Sequence, residues 1–351
     1  MIVPIIFLII CIVGSFFTGL PFSFLFDEMV IRLARNLILV ISLILPVITG
    51  LGLNFAITLG AIAGQIALII ITNFTIGGFR GFILSILIST PFAILFGYLV
   101  GKVLNKARGK EMITSMVLGF FANGIYQLVF LLFAGTIIPI RNKDLLLTSG
   151  VGIKNTIDLA NIKYALDFLI PFGKVSEKLG QYPVTTLLVA LFVFLLLNYF
   201  LKTKLGQDMR AVGHDIEIAR VSGINVERTR IISVIISTVL AAWGQIIFLQ
   251  NIGTMQTYAS HEQVGLFAVA SLLVGGATVE KASWKEALIG TFLFHFLFVI
   301  SPLAGQNLLG NAQIGEYFRA FVAYGVIGLA LVLHAWEKDK ARTRLSDTEA
   351  K

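Results

Sequence analysis

The sequence predicts an all-α fold: a polytopic membrane bundle of about ten transmembrane helices, with N-terminus and C-terminus both cytoplasmic. Three observations predict it. Hydrophobic residues fill 57% of the 351 positions and charged residues only 13%, with a mean hydropathy of +0.91; soluble domains carry about 25% charged residues. The apolar runs are long and unbroken, as at 185–201 and 231–249. A spanning helix needs roughly 20 mainly apolar residues, whereas a barrel would read as roughly 10-residue alternating segments. Finally, the basic residues cluster in every second loop.

The elements follow in order. Residues 2–20 read as an uncleaved first helix, because no Lys or Arg precedes Arg32 and no small-residue cleavage site follows. Further spans are expected at 36–50, 54–72, 82–103 and 112–134. A long polar segment, 135–182, is expected to cap the outer face, with amphipathic stretches such as 165–170 that suit a short interfacial helix. Spans at 184–201, 231–249, 265–276, 287–303 and 317–336 complete the transmembrane domain, 1–336. The tail, 337–351, mixes acids and bases and reads as a solvated, partly disordered end.

Charge sets the orientation. Lys102, Lys106, Arg108 and Lys110 fall in one inside loop and Lys202, Lys204, Arg210, Arg220, Arg228 and Arg230 in the next. Lys281 and Lys285 occupy a third, and the tail carries five more bases. The short outer segments hold only Arg32, Arg35, Arg80 and Arg319. This asymmetry is the positive-inside pattern of an inner or plasma membrane protein. The net charge of +8 is therefore assigned to membrane anchoring beside lipid rather than to nucleic acid.

Catalytic signatures are missing from the sequence. Gly-Lys pairs at 101, 109 and 173 are followed by Val or Glu, so no phosphate-cradling Walker loop is present. His214, His261, His295 and His334 are scattered without metal-ligand spacing, and Cys11 is the only cysteine. No enzyme activity, cofactor or metal is expected.

The inside loop 202–230 is the most informative segment. Gly213 suits a turn, Asp215 an N-cap with Glu217 in the first turn, and Gly223 a C′ stop. Ile216, Ile218, Ala219 and Val221 offer apolar surface to a partner or to the bundle. The same residues also suit an ordinary solvated loop with one helical turn. The string Arg210-Ala-Val-Gly213, Ala219, Ser222-Gly223-Ile224 closely resembles the cytoplasmic loop of permease subunits in bacterial ABC importers of the ribose/simple-sugar, nucleoside and branched-chain amino-acid type. Ile48-Thr-Gly-Leu-Gly-Leu-Asn54, Gly60-Ala-Ile-Ala-Gly64-Gln65, Glu111-Met-Ile-Thr114 and the Ala268–Gly276 string resemble further family segments, in family order across roughly 36–335. His214 stands where the family usually has Asn, and Ala63 where nucleoside-type members have Glu.

The resemblance implies an ATPase-coupling loop carried by Arg210, Gly213, Asp215, Ala219, Gly223 and Ile224. It also implies a cytoplasmic ATP-binding subunit, a second permease (a second copy or a paralogue) and an extracytoplasmic solute-binding protein. Polar residues inside spans are candidates for the translocation pathway: Asn54, Gln65, Asn123, Gln127, Gln245 and His295, with Trp243 as a stacking surface. Interhelical hydrogen bonding explains the same residues without a ligand. With no charge expected in the middle of a span, the solute reads as neutral or zwitterionic: a simple sugar or nucleoside, then a branched-chain amino acid. An ion-coupled secondary transporter is the rival reading.

Overall fold

The computed structural model describes residues 2–167 and 182–349. Residues 168–170 of the amphipathic stretch at 165–170 lie outside these. Among the described residues the helices are α1 (Ile2–Phe16), α2 (Phe22–Ser42), α3 (Ile44–Ile48), α4 (Ile57–Asn73), α5 (Gly78–Lys106), α6 (Glu111–Leu128), α7 (Val184–Phe200), α8 (Lys204–His214), α9 (Ile216–Val221), α10 (Val226–Ile252), α11 (Glu262–Val274), α12 (Trp284–Leu309) and α13 (Ala312–Glu349). Five of them, counting α2 and α3 as one span of 27 residues, are long and apolar enough to cross a membrane. They become six if α7 and α8, bent by 76°, are taken as one, and three shorter apolar helices accompany them. The all-helical membrane class is thus as the sequence predicts, with fewer full-length spans than the ten expected and with one addition, a two-stranded sheet of β1 (Thr156–Asp158) and β2 (Thr254–Gln256).

The bundle has two distinct ends. Helices α8 and α9 lie at one. Pro4 of α1 packs on Gly276 in the turn between α11 and α12, and Asn307 late in α12 donates to the Phe17 carbonyl at 3.0 Å, so α1 and α12 run side by side in one direction. The sheet lies at the other end. There β1 pairs antiparallel with β2, Ile157 opposite Met255, and the loop before α7 is sewn to the chain that follows α10. Thr257 donates to the Lys154 carbonyl at 2.7 Å and the Tyr258 hydroxyl to the Ile153 carbonyl at 2.8 Å. Gly253 makes the reversal possible: it caps α10 at φ +82°, a left-handed conformation open to glycine.

Most boundaries fall within about six residues of the sequence reading, and two differ by far more, for physical reasons. The second span does not begin at 36 but at Phe22, so Arg32 and Arg35 lie inside it rather than in an outer loop. The charges break the apolar run without breaking the helix, because Arg32 Nε donates to Glu28 Oε1 at 2.7 Å across one turn. The last helix, expected over 317–336, continues to Glu349 through the segment read as a tail.

The segment 202–230 holds two helices. Gly213 is not a turn residue but lies inside α8, at a point where a Cβ would stand 1.9 Å from the Ile48 carbonyl oxygen. The glycine lets α8 press against the α3 terminus. Asp215 does cap α9, accepting from the amides of Glu217 at 2.8 Å and Ile218 at 2.9 Å. At its other end Ile224 N–H donates to the Ala219 carbonyl and Gly223 N–H to that of Arg220, with Gly223 at φ +82°. These are the two bonds of a Schellman stop.

Candidate functional site: a polar network beneath a cationic cavity

Four helices and the sheet-held segment converge on His261. This imidazole is fully buried because β2, pinned by β1, directs residues 257–261 inward and α11 begins only at Glu262. His261 Nδ1 lies 2.8 Å from Gln65 Oε1 of α4, and Nε2 lies 2.7 Å from Asn123 Oδ1 of α6. Gln127, one turn along α6, donates to the same Oδ1 at 3.1 Å. Asn123 Nδ2 donates to the Glu262 carboxylate. Tyr126 meets the imidazole edge-on, centroids 4.9 Å apart. Gln245 of α10 joins through the Ser260 carbonyl, at 3.4 Å.

The network fixes its own proton pattern. A carboxylate only accepts, so Asn123 must turn its NH2 to Glu262 and its oxygen to His261 and Gln127. His261 Nε2 therefore donates. A neutral ring then accepts at Nδ1, which is satisfied when the Gln65 amide presents its NH2 there. Turning the amide this way gives Nε2 its bond and leaves Oε1 as the buried atom without a partner. Asn123 is the hub, so Asn123→Asp is expected to be worse than Asn123→Ala. The alanine removes partners from buried groups at about 1–3 kcal/mol, and the aspartate adds like charge beside Glu262. Thermal unfolding of the purified chain in detergent checks the order.

The structure brings Gln65, Asn123, Gln127 and Gln245 together. It does not bring Asn54 or Trp243 to them. Asn54 is a buried turn residue whose Oδ1 accepts from Ala56 N–H at 3.1 Å. Trp243 turns its Nε1 to Thr90 of α5, at 3.0 Å. Sequence reading missed His261 and Glu262. Their signal was the shortness of the eighth span: a helix starting at 262 with 13 residues covers only about 20 Å, so its polar first residues sit deep in the bundle.

A cavity of about 1170 Å³ opens toward the sheet end and takes in Asn123, Glu262, Thr58, His295, Arg32, Arg35 and Arg319. A second, of about 1080 Å³, lies at the α8–α9 end, lined by Gly52, Met112, His214, Val279 and Trp284 among others. The two have no lining residue in common. Within the lining of the sheet-end cavity α11 approaches α4 closely: a Cβ on Gly265 would stand 2.7 Å from Thr58 Oγ1. His295, singled out from the sequence, lines the sheet-end cavity beside two arginines of α2. The inference of a neutral solute rested on uncharged span interiors, and Arg32 and Arg35 in mid-helix remove that premise.

At the other end, α9 is anchored by Ala219, which is buried with Val212 and Val226. Ile218 and Val221 of the same helix are 65% and 89% exposed. Arg210 and Gly213 line the cavity at that end, Ile224 packs under Ala219, and Asp215 and Gly223 cap the helix. Among the described residues no group of His, Cys, Asp or Glu is arranged to hold a metal ion.

Comparison with known proteins gives a consistent set. The family described as "Branched-chain amino acid transport system / permease component" matches residues 6–333. The chain is 29% identical over 181 residues to a xylose transport system permease protein of Haemophilus influenzae, covering 51% of this chain and 46% of that protein. It is 27% identical over 281 residues to a fructose import permease protein of Bifidobacterium longum, covering 78% and 74%. With a nucleoside ABC transporter permease protein of Lactococcus lactis it shares 25% identity over 300 residues, covering 82% and 84%. The match to the xylose relative spans less than half of that protein's length. No solved structure matches.

Proposed function

The chain belongs to the branched-chain amino acid transport system permease component family, and from that premise we propose that it lines the pathway of an ATP-driven importer for a sugar or nucleoside. It is a multi-pass membrane subunit of transport and not an enzyme. In this reading an extracytoplasmic binding protein delivers the solute at the sheet end. A cytoplasmic ATPase drives the cycle, and a second permease, copy or paralogue, completes the channel. The sugar and nucleoside classes are taken from what the relatives are named for.

One observation carries the proposal: α9 is rigidly held yet presents Ile218 and Val221 to the outside, at the end where the positive-inside rule puts the cytoplasm. A short helix with two exposed apolar side chains, fixed by an Asp cap and a Schellman stop, suits a docking knob for a soluble ATPase. The two cavities, which share no lining residue, suit a pathway opened first to one side and then to the other.

Ile218→Glu with Val221→Glu is expected to weaken ATPase association about 30-fold, as for the loss of an interface anchor. The thermal unfolding of the permease should not move, because both side chains are exposed. Wild-type association in that variant would count against the docking knob. Uptake in proteoliposomes with a collapsed ion gradient tests the wider reading. Uptake of xylose, fructose, a nucleoside or leucine that needs ATP and the ATPase supports it and names the solute class. Uptake driven by an ion gradient without the ATPase overturns it in favour of a secondary transporter.

A further inference from the structure

Three arginines and two glutamates line the cavity at the sheet end. Arg32 and Arg35 of α2, His295 of α12 and Arg319 of α13 all line it. Two of the three guanidinium charges are already answered: Arg32 is paired with Glu28 and Arg319 with Glu316. The Glu262 carboxylate is engaged by Asn123. Arg35 is different. Among the described residues it takes part in no ion pair. Its guanidinium lies 5.6 Å over the Phe248 ring, and its Nε is buried without a hydrogen-bond partner. An arginine held this far inside a spanning helix is costly unless something compensates it.

We propose that this cavity binds a compact oxyanion, a carboxylate or phosphate group, with Arg35 as its principal contact. A guanidinium matches such groups through two parallel N–H donors, and the low polarity around Phe248 strengthens the bond. Arg32 and Arg319, each already paired with a glutamate, and the uncharged donor or acceptor His295 line the same cavity, while Asn123 and Glu262 lie next to the His261 network. The proposal deepens the importer reading, on which it rests for the anion's role in transport, by adding a station for an anionic group to the pathway. The binding itself does not depend on that reading. Two sources present the same chemistry: an anion entering from water, or the headgroup of an anionic phospholipid reaching in from the bilayer.

The test uses the full chain alone, without an ATPase, in phosphatidylcholine nanodiscs, so that it can fail or succeed independently of ATP-driven uptake. Inorganic phosphate is titrated at constant ionic strength against chloride while Tm is followed. A saturable rise in Tm is expected, with half-saturation displaced about tenfold or more in Arg35→Gln, the loss of one charge-assisted contact. Arg35→Lys keeps the charge but not the fork and should fall between the two. It also serves as the informative variant if the glutamine protein does not fold. An Arg35-dependent response to phosphate supports an anion from water. A flat phosphate response, with an Arg35-dependent rise when phosphatidylglycerol replaces phosphatidylcholine, supports the headgroup and the same site. A wild-type chain that responds to neither, or a response equal in all variants, overturns the proposal.

Discussion

Alanine at Gly290, or at Gly275, is expected to stop the hairpin of α11 and α12 from closing. A Cβ on Gly290 would stand 1.8 Å from the Ser271 carbonyl oxygen, and one on Gly275 1.8 Å from that of Glu286. The two glycines lie opposite one another where the helices cross, so each backbone is pressed against the other. The obstructing atoms are carbonyl oxygens inside helices, which cannot swing aside as a side-chain end can. The helices would have to separate, carrying away the surrounding contacts of Leu272, Phe294 and Leu297, all buried. A cost above about 4 kcal/mol, the range of severe overpacking and strain, is expected for either change. Loss of the monodisperse peak on size-exclusion chromatography would report it. A Gly290→Ala chain with wild-type Tm would show that the crossing is looser than the backbone geometry requires.

Removing one partner of the Arg230–Glu111 pair is expected to cost roughly 3–5 kcal/mol, the usual penalty for leaving a buried charge uncompensated. The pair joins the first turns of α10 to the start of α6 at 2.5 Å, with side-chain exposures of 0% and 12%. Arg230 Nε and Nη1 have no partners among the described residues, where Glu111 is the one carboxylate paired with this guanidinium. Glu111→Gln should therefore destabilise strongly. Glu111→Leu combined with Arg230→Met should recover much of the loss, since neither charge then remains to be desolvated. A double-mutant cycle on thermal unfolding measures the coupling. Additive single effects would mean that the two side chains do not depend on one another.

Much of the fold was legible because bilayer solvation is a one-dimensional constraint: apolar runs of sufficient length must become helices. The sequence was equally direct about α9. Asp215 and Gly223 act locally, through bonds to amides two or three residues away, so their cap and stop need no tertiary knowledge. Charge misled it where charges neutralise one another along a helix. Glu28 and Arg32 pair one turn apart, and the apolar-run rule took them for the edge of a span instead of its interior. Gly213 misled it too, because a glycine that permits contact and one that permits a turn are identical in a string of letters.

By itself, then, the sequence determined the class of the molecule, the approximate course of its helices, and the resemblance that identified its family. Those properties follow from local hydrophobicity, capping and charge asymmetry. Only the tertiary structure decided which polar residues meet. Gln65, Asn123, Gln127, Gln245 and His261 come from three helices and a sheet-held segment, up to 196 positions apart, and Trp243 and Asn54 turn elsewhere. The same is true of Arg35: no carboxylate among the described residues pairs with it, and distance in space is not written in spacing along the chain.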